Sequence, residues 1–187
     1  EMREVANRLD QIFLEGGELM KIPVYRQMVK EIKVAGGAGK AEAIQDSCRR
    51  TGNSLSQVAF ADDSITGVQG LELVRRNGGL ALSVNGNGYA VRVAEIVCLL
   101  DNALPLAVLL TTFSRGGREA VRNLAWNWSW PAIEGLGPDK VLIEQLHRVY
   151  PTDLPQVEIA TEANLARLVE QSEYFRTYIR GKVGKLG

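Results

Sequence analysis

The stretch QVAFADDSITG, residues 57–67, decides the fold of this chain. Gln57-Val58-Ala59-Phe60-Ala61 is a short apolar run, and such a run bounded by turn-forming residues reads as a buried strand. Two carboxylates, Asp62 and Asp63, follow at once, and then Ser64-Ile65-Thr66. Val68, Leu71 and Val74 next recur at helical spacing and stop at Asn77-Gly78-Gly79. Residues 80–84 read as a second strand, 89–94 as a short helix, and 96–100 as a third strand ending at Asp101. Strand and helix alternate three times within about 70 residues, which predicts an α/β fold with a parallel sheet. In such sheets ligands bind beyond the carboxyl ends of the strands, where Asp62 and Asp63 fall.

Upstream, Val5, Leu9, Ile12 and Phe13 follow helical spacing up to Gly16-Gly17, and residues 25–33 predict a second helix. The glycine-rich VAGGAGK, residues 34–40, then leads into a predicted helix over 41–51, so Lys40 stands at a helix entrance. From Leu104 the chain turns mostly helical. It carries Trp126, Trp128 and Trp130, a helix over 140–150, and a last long helix whose apolar stripe is Leu165, Leu168, Val169, Phe175 and Ile179. The expected division is a helical linker or end of a cap over 1–33, the core over 34–103, and a helical extension over 104–187. That extension either packs on the core or seals a homodimer, and Arg180, Lys182 and Lys185 near its end read as a solvated basic terminus.

Charge excludes one class of partner. Twenty-two Lys plus Arg balance 22 Asp plus Glu, so the basic footprint of a general nucleic-acid binder is missing. Cys48 and Cys98 form no C-x-x-C pair, which disfavours a zinc ribbon or a disulfide scaffold and makes a reducing cytoplasm the default. His147 is the single histidine, and its place in VLIEQLHRVY predicts a structural role. Asp101, Asn102 and Pro105 break the apolar run over 96–113, so no membrane-spanning helix is expected.

GGAGK invites a phosphate-loop reading, since glycine amides and a lysine can cradle phosphate at a helix N-terminus. The spacing is wrong, and Ala41 stands where that motif needs Ser or Thr. The acidic pair after the strand says more, because adjacent carboxylates concentrate charge that a magnesium ion could neutralise. Asp62 and Ser64 could equally serve as helix caps, and turn chemistry accounts for Asn85-Gly86-Asn87-Gly88 as well as ligand binding does.

Taken together, GGAGKAEAI, FADDSITG and ALSVNGNGYAVRVAE resemble the third motif, the acidic fourth motif and the following asparagine-bearing turn of the haloacid dehalogenase (HAD) superfamily of phosphohydrolases. The likeness is strongest to the Cof-like and sucrose-phosphatase-like branch and to an archaeal HAD-like subgroup, and it covers roughly residues 34–100. It implies a partial Rossmann-like core and a magnesium-dependent phosphatase that acts on a small phosphorylated metabolite through an aspartyl-phosphate. By the same likeness, Lys40 is the charge-offsetting catalytic lysine, Asp63 and Asp62 hold Mg2+, and Ser64, Asn85 and Asn87 line the phosphate or substrate site.

Two departures accompany the resemblance. Gly67 replaces the last acid of the fourth motif. The family's Asp-x-Asp nucleophile is also missing, since no two of the aspartates at 10, 46, 62, 63, 101, 139 and 153 are two apart. Three explanations stand: a carboxy-terminal part of a longer protein, one of two chains that complete a site together, or a non-catalytic HAD-fold interaction subunit. This chain alone is expected to be inactive and to bind magnesium weakly, on the order of millimolar.

Overall fold

Strands β1 (Ala59–Asp62), β2 (Leu80–Val84) and β3 (Ile96–Leu99) lie side by side and parallel in the computed structural model, which describes residues 2–13, 16–31, 36–135 and 139–183. The register sets Asp62 opposite Ser83 and Val84 opposite Cys98. Helix α3 (Ala38–Thr51) precedes β1, α4 (Val68–Arg76) joins β1 to β2, and α5 (Gly88–Val93) joins β2 to β3. This is the expected α/β architecture, a partial Rossmann-like core with a largely helical extension. The expectation for residues 32–35 lies outside the described residues.

The extension holds one element that its sequence conceals. Strand β4 (Gln156–Ile159) adds to β3 in antiparallel sense and completes the order β1-β2-β3-β4. Four residues between Pro155 and Ala160, of which only Val157 is fully buried, leave too short an alternation to stand out. The extension therefore shares the sheet of the core.

Alternation along the strands builds two apolar layers. Leu80, Leu82, Ile96 and Cys98 pack against α6 (Leu104–Trp126), α7 (Trp130–Gly135) and α8 (Lys140–Val149) through Val108, Leu109, Leu124, Ile133 and Leu146. Val97 and Leu99 turn the other way, onto Val91 of α5 and Leu168 of α9 (Leu165–Val183), while Ala81 meets Leu71 and Ala90. Each fully buried side chain of this size contributes about 1.5–3 kcal/mol. Cys98 belongs to this core, and burial pushes its thiol up to about 12, so it stays protonated.

Helix α6 is broken within its own length. Gly117 has φ 69° and ψ −166°, a conformation essentially confined to glycine. The segment after it presents Arg118 and Arg122, four residues apart, to the buried carboxylate of Glu95 just ahead of β3. Trp128 donates from Nε1 to the Pro155 carbonyl at 2.9 Å, and Trp130 stacks on His147 with ring centroids 3.6 Å apart. Both tryptophans pack against the core cluster, whereas Trp126 is 73% exposed. His147 thus has the structural place its sequence context suggested, stacked on Trp130 and bonded to Glu134.

Residues 1–35 form a separate unit. Within it, α1 (Met2–Phe13) and α2 (Pro23–Glu31) are linked through a 3-10 turn at Leu19–Lys21, with Tyr25 Oη donating to the Phe13 carbonyl. Val5, Leu9 and Phe13 on α1 are each about half exposed. No described helix is long and apolar enough to cross a membrane.

Candidate functional site

At the carboxyl end of β1 the chain must turn, and Asp62 organises that turn. Its Oδ1 accepts from the Asp63 amide (2.9 Å), the Ser64 amide (3.0 Å) and Ser64 Oγ (3.1 Å), while Oδ2 meets Lys40 Nζ at 2.5 Å. The Asp62 side chain is only 7% exposed. Lys40 reaches it from the first turn of α3, whose start is fixed by the Gly37 amide donating to the Thr66 carbonyl. Gly37 has φ 54°, so the glycine-rich stretch serves to turn the chain into α3 and aim Lys40. Ser64 also shares a bond with Thr66, and its hydroxyl is spent within this loop.

Gly67 now has a physical reason. A Cβ at this position would come within 2.0 Å of Asp62 Cγ and 2.3 Å of Oδ1. The space that a side chain at 67 would take is filled by the Asp62 side chain itself.

Burial pushes the Asp62 carboxyl up, but the Lys40 ammonium and the Ser64 donors together outweigh it and hold the carboxyl below its ordinary 3.8. A carboxyl depressed by folding stabilises the protein above its unfolded value, near pH 4, and that contribution is lost as pH falls through the lower folded value. The stability gap between wild type and Asp62→Asn, read by urea unfolding, is therefore expected to hold from about pH 7 to about 5 and to shrink below about 4. A gap that widens toward acid would contradict this.

The loop after β2 is tied to the same place. Asn87 donates its amide to the Asp63 carbonyl and caps α5 by accepting from the Ala90 amide. Asn85, with φ 50°, spends its side chain on Leu100, donating from Nδ2 at 2.7 Å and accepting on Oδ1 at 2.8 Å. The structure thus brings Lys40, Asp62, Asp63 and Ser64 together, sets Asn87 beside them through its backbone, and turns the Asn85 side chain toward the end of β3.

Helix α9 supplies what the sequence reading missed. Ser172 Oγ, fully buried, donates to the Gly86 carbonyl at 2.6 Å, and the Gly88 amide donates to Glu173 Oε1 at 3.1 Å. Arg176 Nη1 donates to Asp63 Oδ2 (2.6 Å), the Asp63 carbonyl (2.6 Å) and the Asn85 carbonyl (3.0 Å). Arg180 stands 3.5 Å from the same Asp63 oxygen. One helix face therefore spans the loops after β1 and β2, and Arg180, expected in a solvated basic terminus, faces a site carboxylate. The spacing S-E-x-x-R-x-x-x-R was the available signal, hidden beneath the apolar stripe of the same helix.

No protein-family model matches the sequence, and no curated protein does. The fold has a solved likeness. Gene product AF1437 from Archaeoglobus fulgidus aligns at 24% identity with a TM-score of 0.61, over 98% of this chain and 49% of that one. The chain thus spans about half the length of that protein, and at this identity the likeness concerns the fold.

A hard divalent cation favours carboxylate oxygens, but both Asp62 oxygens are engaged by the loop and Lys40, and Asp63 Oδ2 is paired with Arg176. Among the described residues no group of three or more His, Cys, Asp or Glu stands together. A magnesium ion would therefore rest on Asp63, 49% exposed and with no described residue donating to its Oδ1, with Asp62 behind it. The guanidiniums already beside Asp63 make such a site weak.

Proposed function

We propose that this chain carries the lysine-and-acid half of a cytoplasmic, magnesium-dependent HAD-like phosphohydrolase that acts on a small phosphorylated metabolite through an aspartyl-phosphate. The observation that carries the reading is the Lys40–Asp62 ion pair at the carboxyl end of a parallel strand, with Asp63 beside it. Twenty-two residues separate the partners, and the glycine turn, α3 and β1 bring them together where α/β sheets bind ligands.

In this reading the nucleophilic Asp-x-Asp belongs to residues outside positions 1–187. Catalysis of phosphoryl transfer rests mainly on positioning and charge neutralisation, and Lys40 supplies a point charge for that purpose. Asp62 holds the Lys40 ammonium in place and shapes the loop that presents Asp63. Magnesium, when bound at Asp63, would supply Lewis-acid stabilisation of charge on the phosphoryl oxygens. Ser64 and Asn87 hold the two loops beside Asp63 and so shape the end of the sheet toward which the phosphorylated substrate would come.

The test is hydrolysis of p-nitrophenyl phosphate with magnesium. Residues 1–187 alone are expected to be inactive, and a longer product of the gene bearing an Asp-x-Asp strand is expected to be active. In that longer protein Lys40→Ala should lower kcat by about 10²–10³-fold, the usual effect of removing one charge-stabilising group. Activity that survives Lys40→Ala unchanged would overturn the assignment.

A second reading, a non-catalytic interaction subunit, is favoured by one observation: Val5, Leu9 and Phe13 on α1 are about half exposed, an amphipathic face of the kind partner helices cover. Absence of activity from the longer product would turn the question to that face.

A further inference from the structure

All three tryptophans of the chain line one cleft of about 620 Å³, a volume in the range of small-molecule sites. The cleft lies between the end of α6, the turn into α7 and the segment 152–158, which leads into β4 and along it. β1 and β4 are opposite edges of the sheet, so this is a different place from the Lys40–Asp62–Asp63 cluster. Two of its indoles are held firmly. Trp128 donates from Nε1 to the Pro155 carbonyl, and Trp130 is stacked on His147 within 8° of parallel. The third, Trp126, is 73% exposed, and its indole makes no hydrogen bond or ring contact with a described residue.

The charge around these rings has one sign. Asp153 and Glu158 line the cleft, and among the described residues no Lys, Arg or His does. Glu158 is matched by Arg167 at 2.6 Å, whereas Asp153 is exposed, takes only the Thr152 hydroxyl at 3.2 Å and has no ion pair with a described residue. The last turn of α6 ends in the cleft at Trp126 without a basic residue, so the negative end of that helix adds to the field. Indole faces are themselves electron-rich and attract cations. We propose that this cleft binds the quaternary ammonium group of a small molecule. A cation whose charge is spread over methyl groups sheds its water readily onto aromatic faces, and such groups are the ligands that aromatic cages take. A bare ammonium is strongly hydrated and asks for several acceptors, and among the described carboxylates of the cleft only Asp153 is not already matched by a cation. The fixed rings of Trp128 and Trp130 lower the ordering cost of binding, and Trp126 is free to close on the ligand. The site is independent of the phosphohydrolase chemistry at β1.

The experiment is a titration of the full 187-residue chain with choline chloride at constant ionic strength, read by tryptophan fluorescence, which in this chain reports on the cleft alone. Saturable binding is expected on the order of millimolar, the strength that a few exposed cation–π contacts supply. The uncharged analogue, with a tert-butyl group in place of trimethylammonium, should bind several-fold more weakly. Trp126→Ala and Asp153→Asn should each weaken choline by about two- to fivefold, as loss of one exposed contact to a cation does. Both side chains are exposed and neither belongs to the core cluster, so both variants keep the fold. Equal binding of choline and its uncharged analogue would overturn the proposal, because the cleft would then be merely apolar. No saturable change with choline, choline binding untouched by either substitution, or tighter binding of guanidinium than of choline would overturn it as well.

Discussion

The double variant Arg118→Met/Arg122→Met is expected to lose about 3–5 kcal/mol of stability, the cost of leaving a buried charge without its partners. Glu95 is 1% exposed, at the entry to β3, where its amide donates to the Ala81 carbonyl and its own carbonyl accepts from the Ala160 amide. Its place is thus fixed by the sheet on both sides. Its carboxylate forms a two-bond fork with Arg118, Nε to Oε2 and Nη2 to Oε1 at 2.8 Å each, and Oε1 also accepts from Arg122. The same bond from Glu95 raises the Arg118 guanidinium above its ordinary value. With both arginines gone, a carboxylate held inside the sheet layer has neither water nor counter-charge. Adding Glu95→Met should restore most of the loss, since apolar replacement of a whole buried ion cluster is often neutral or stabilising. Urea unfolding of wild type, double and triple variants measures both steps. A loss below about 1 kcal/mol in the double variant, or no recovery in the triple, would show that the cluster does not hold α6 to the sheet in this way.

That cluster also shows where sequence reading stops. Strand β2 is legible as Leu80–Val84 because an unbroken apolar run lies between Gly79 and Asn85. β1 and β3 are legible for the same reason. A buried parallel strand announces itself locally, through composition and flanking turns. Nothing local announces that Glu95, in an alanine–isoleucine context, will meet arginines 23 and 27 residues later. The pairing depends on the break at Gly117, whose φ of 69° nothing in the sequence beyond a glycine pair announces. β4 escapes notice because an edge strand needs burial on little more than one residue, here Val157.

The site divides along the same line. Lys40, Asp62 and Asp63 could be singled out because a lysine at a helix entrance and an acidic pair at a strand end are compact patterns. What binds those acids could not be read so simply. Arg176 lies 113 residues from Asp63, on a helix whose apolar stripe accounts for its packing without any polar duty. The resemblance places Asn85 at the phosphate or substrate site, but its side chain fastens the end of β3 through Leu100. The backbone conformation that asparagine tolerates, φ 50°, and the two bonds of its amide both serve that fastening.

Gly67→Ala is expected to cost about 2–3 kcal/mol and to break the Lys40–Asp62 pair, the upper part of the range that overpacking usually brings, because the obstructed group cannot move freely. The backbone at Gly67 is ordinary, φ −91°, so conformation is no obstacle to alanine. The obstacle is the Asp62 side chain, whose Cγ, Oδ1 and Cβ lie 2.0, 2.3 and 2.4 Å from where the new methyl would stand. To yield, Asp62 must swing away from three donors on Oδ1 and from Lys40 on Oδ2, and it is too buried for water to replace them all. A double-mutant cycle isolates this cause. In an Asp62→Gly background, which removes the Cβ at 2.4 Å as well as the carboxylate, the methyl has room, so Gly67→Ala should then cost less than about 0.5 kcal/mol, a level typical of independent sites. The difference between the two costs is the coupling energy between positions 62 and 67. If Gly67→Ala costs the same in both backgrounds, the clash with Asp62 is not what requires glycine there. If the coupling is found, the glycine and the aspartate are one feature: the space beside residue 67 holds the carboxylate that keeps Lys40 at the strand end.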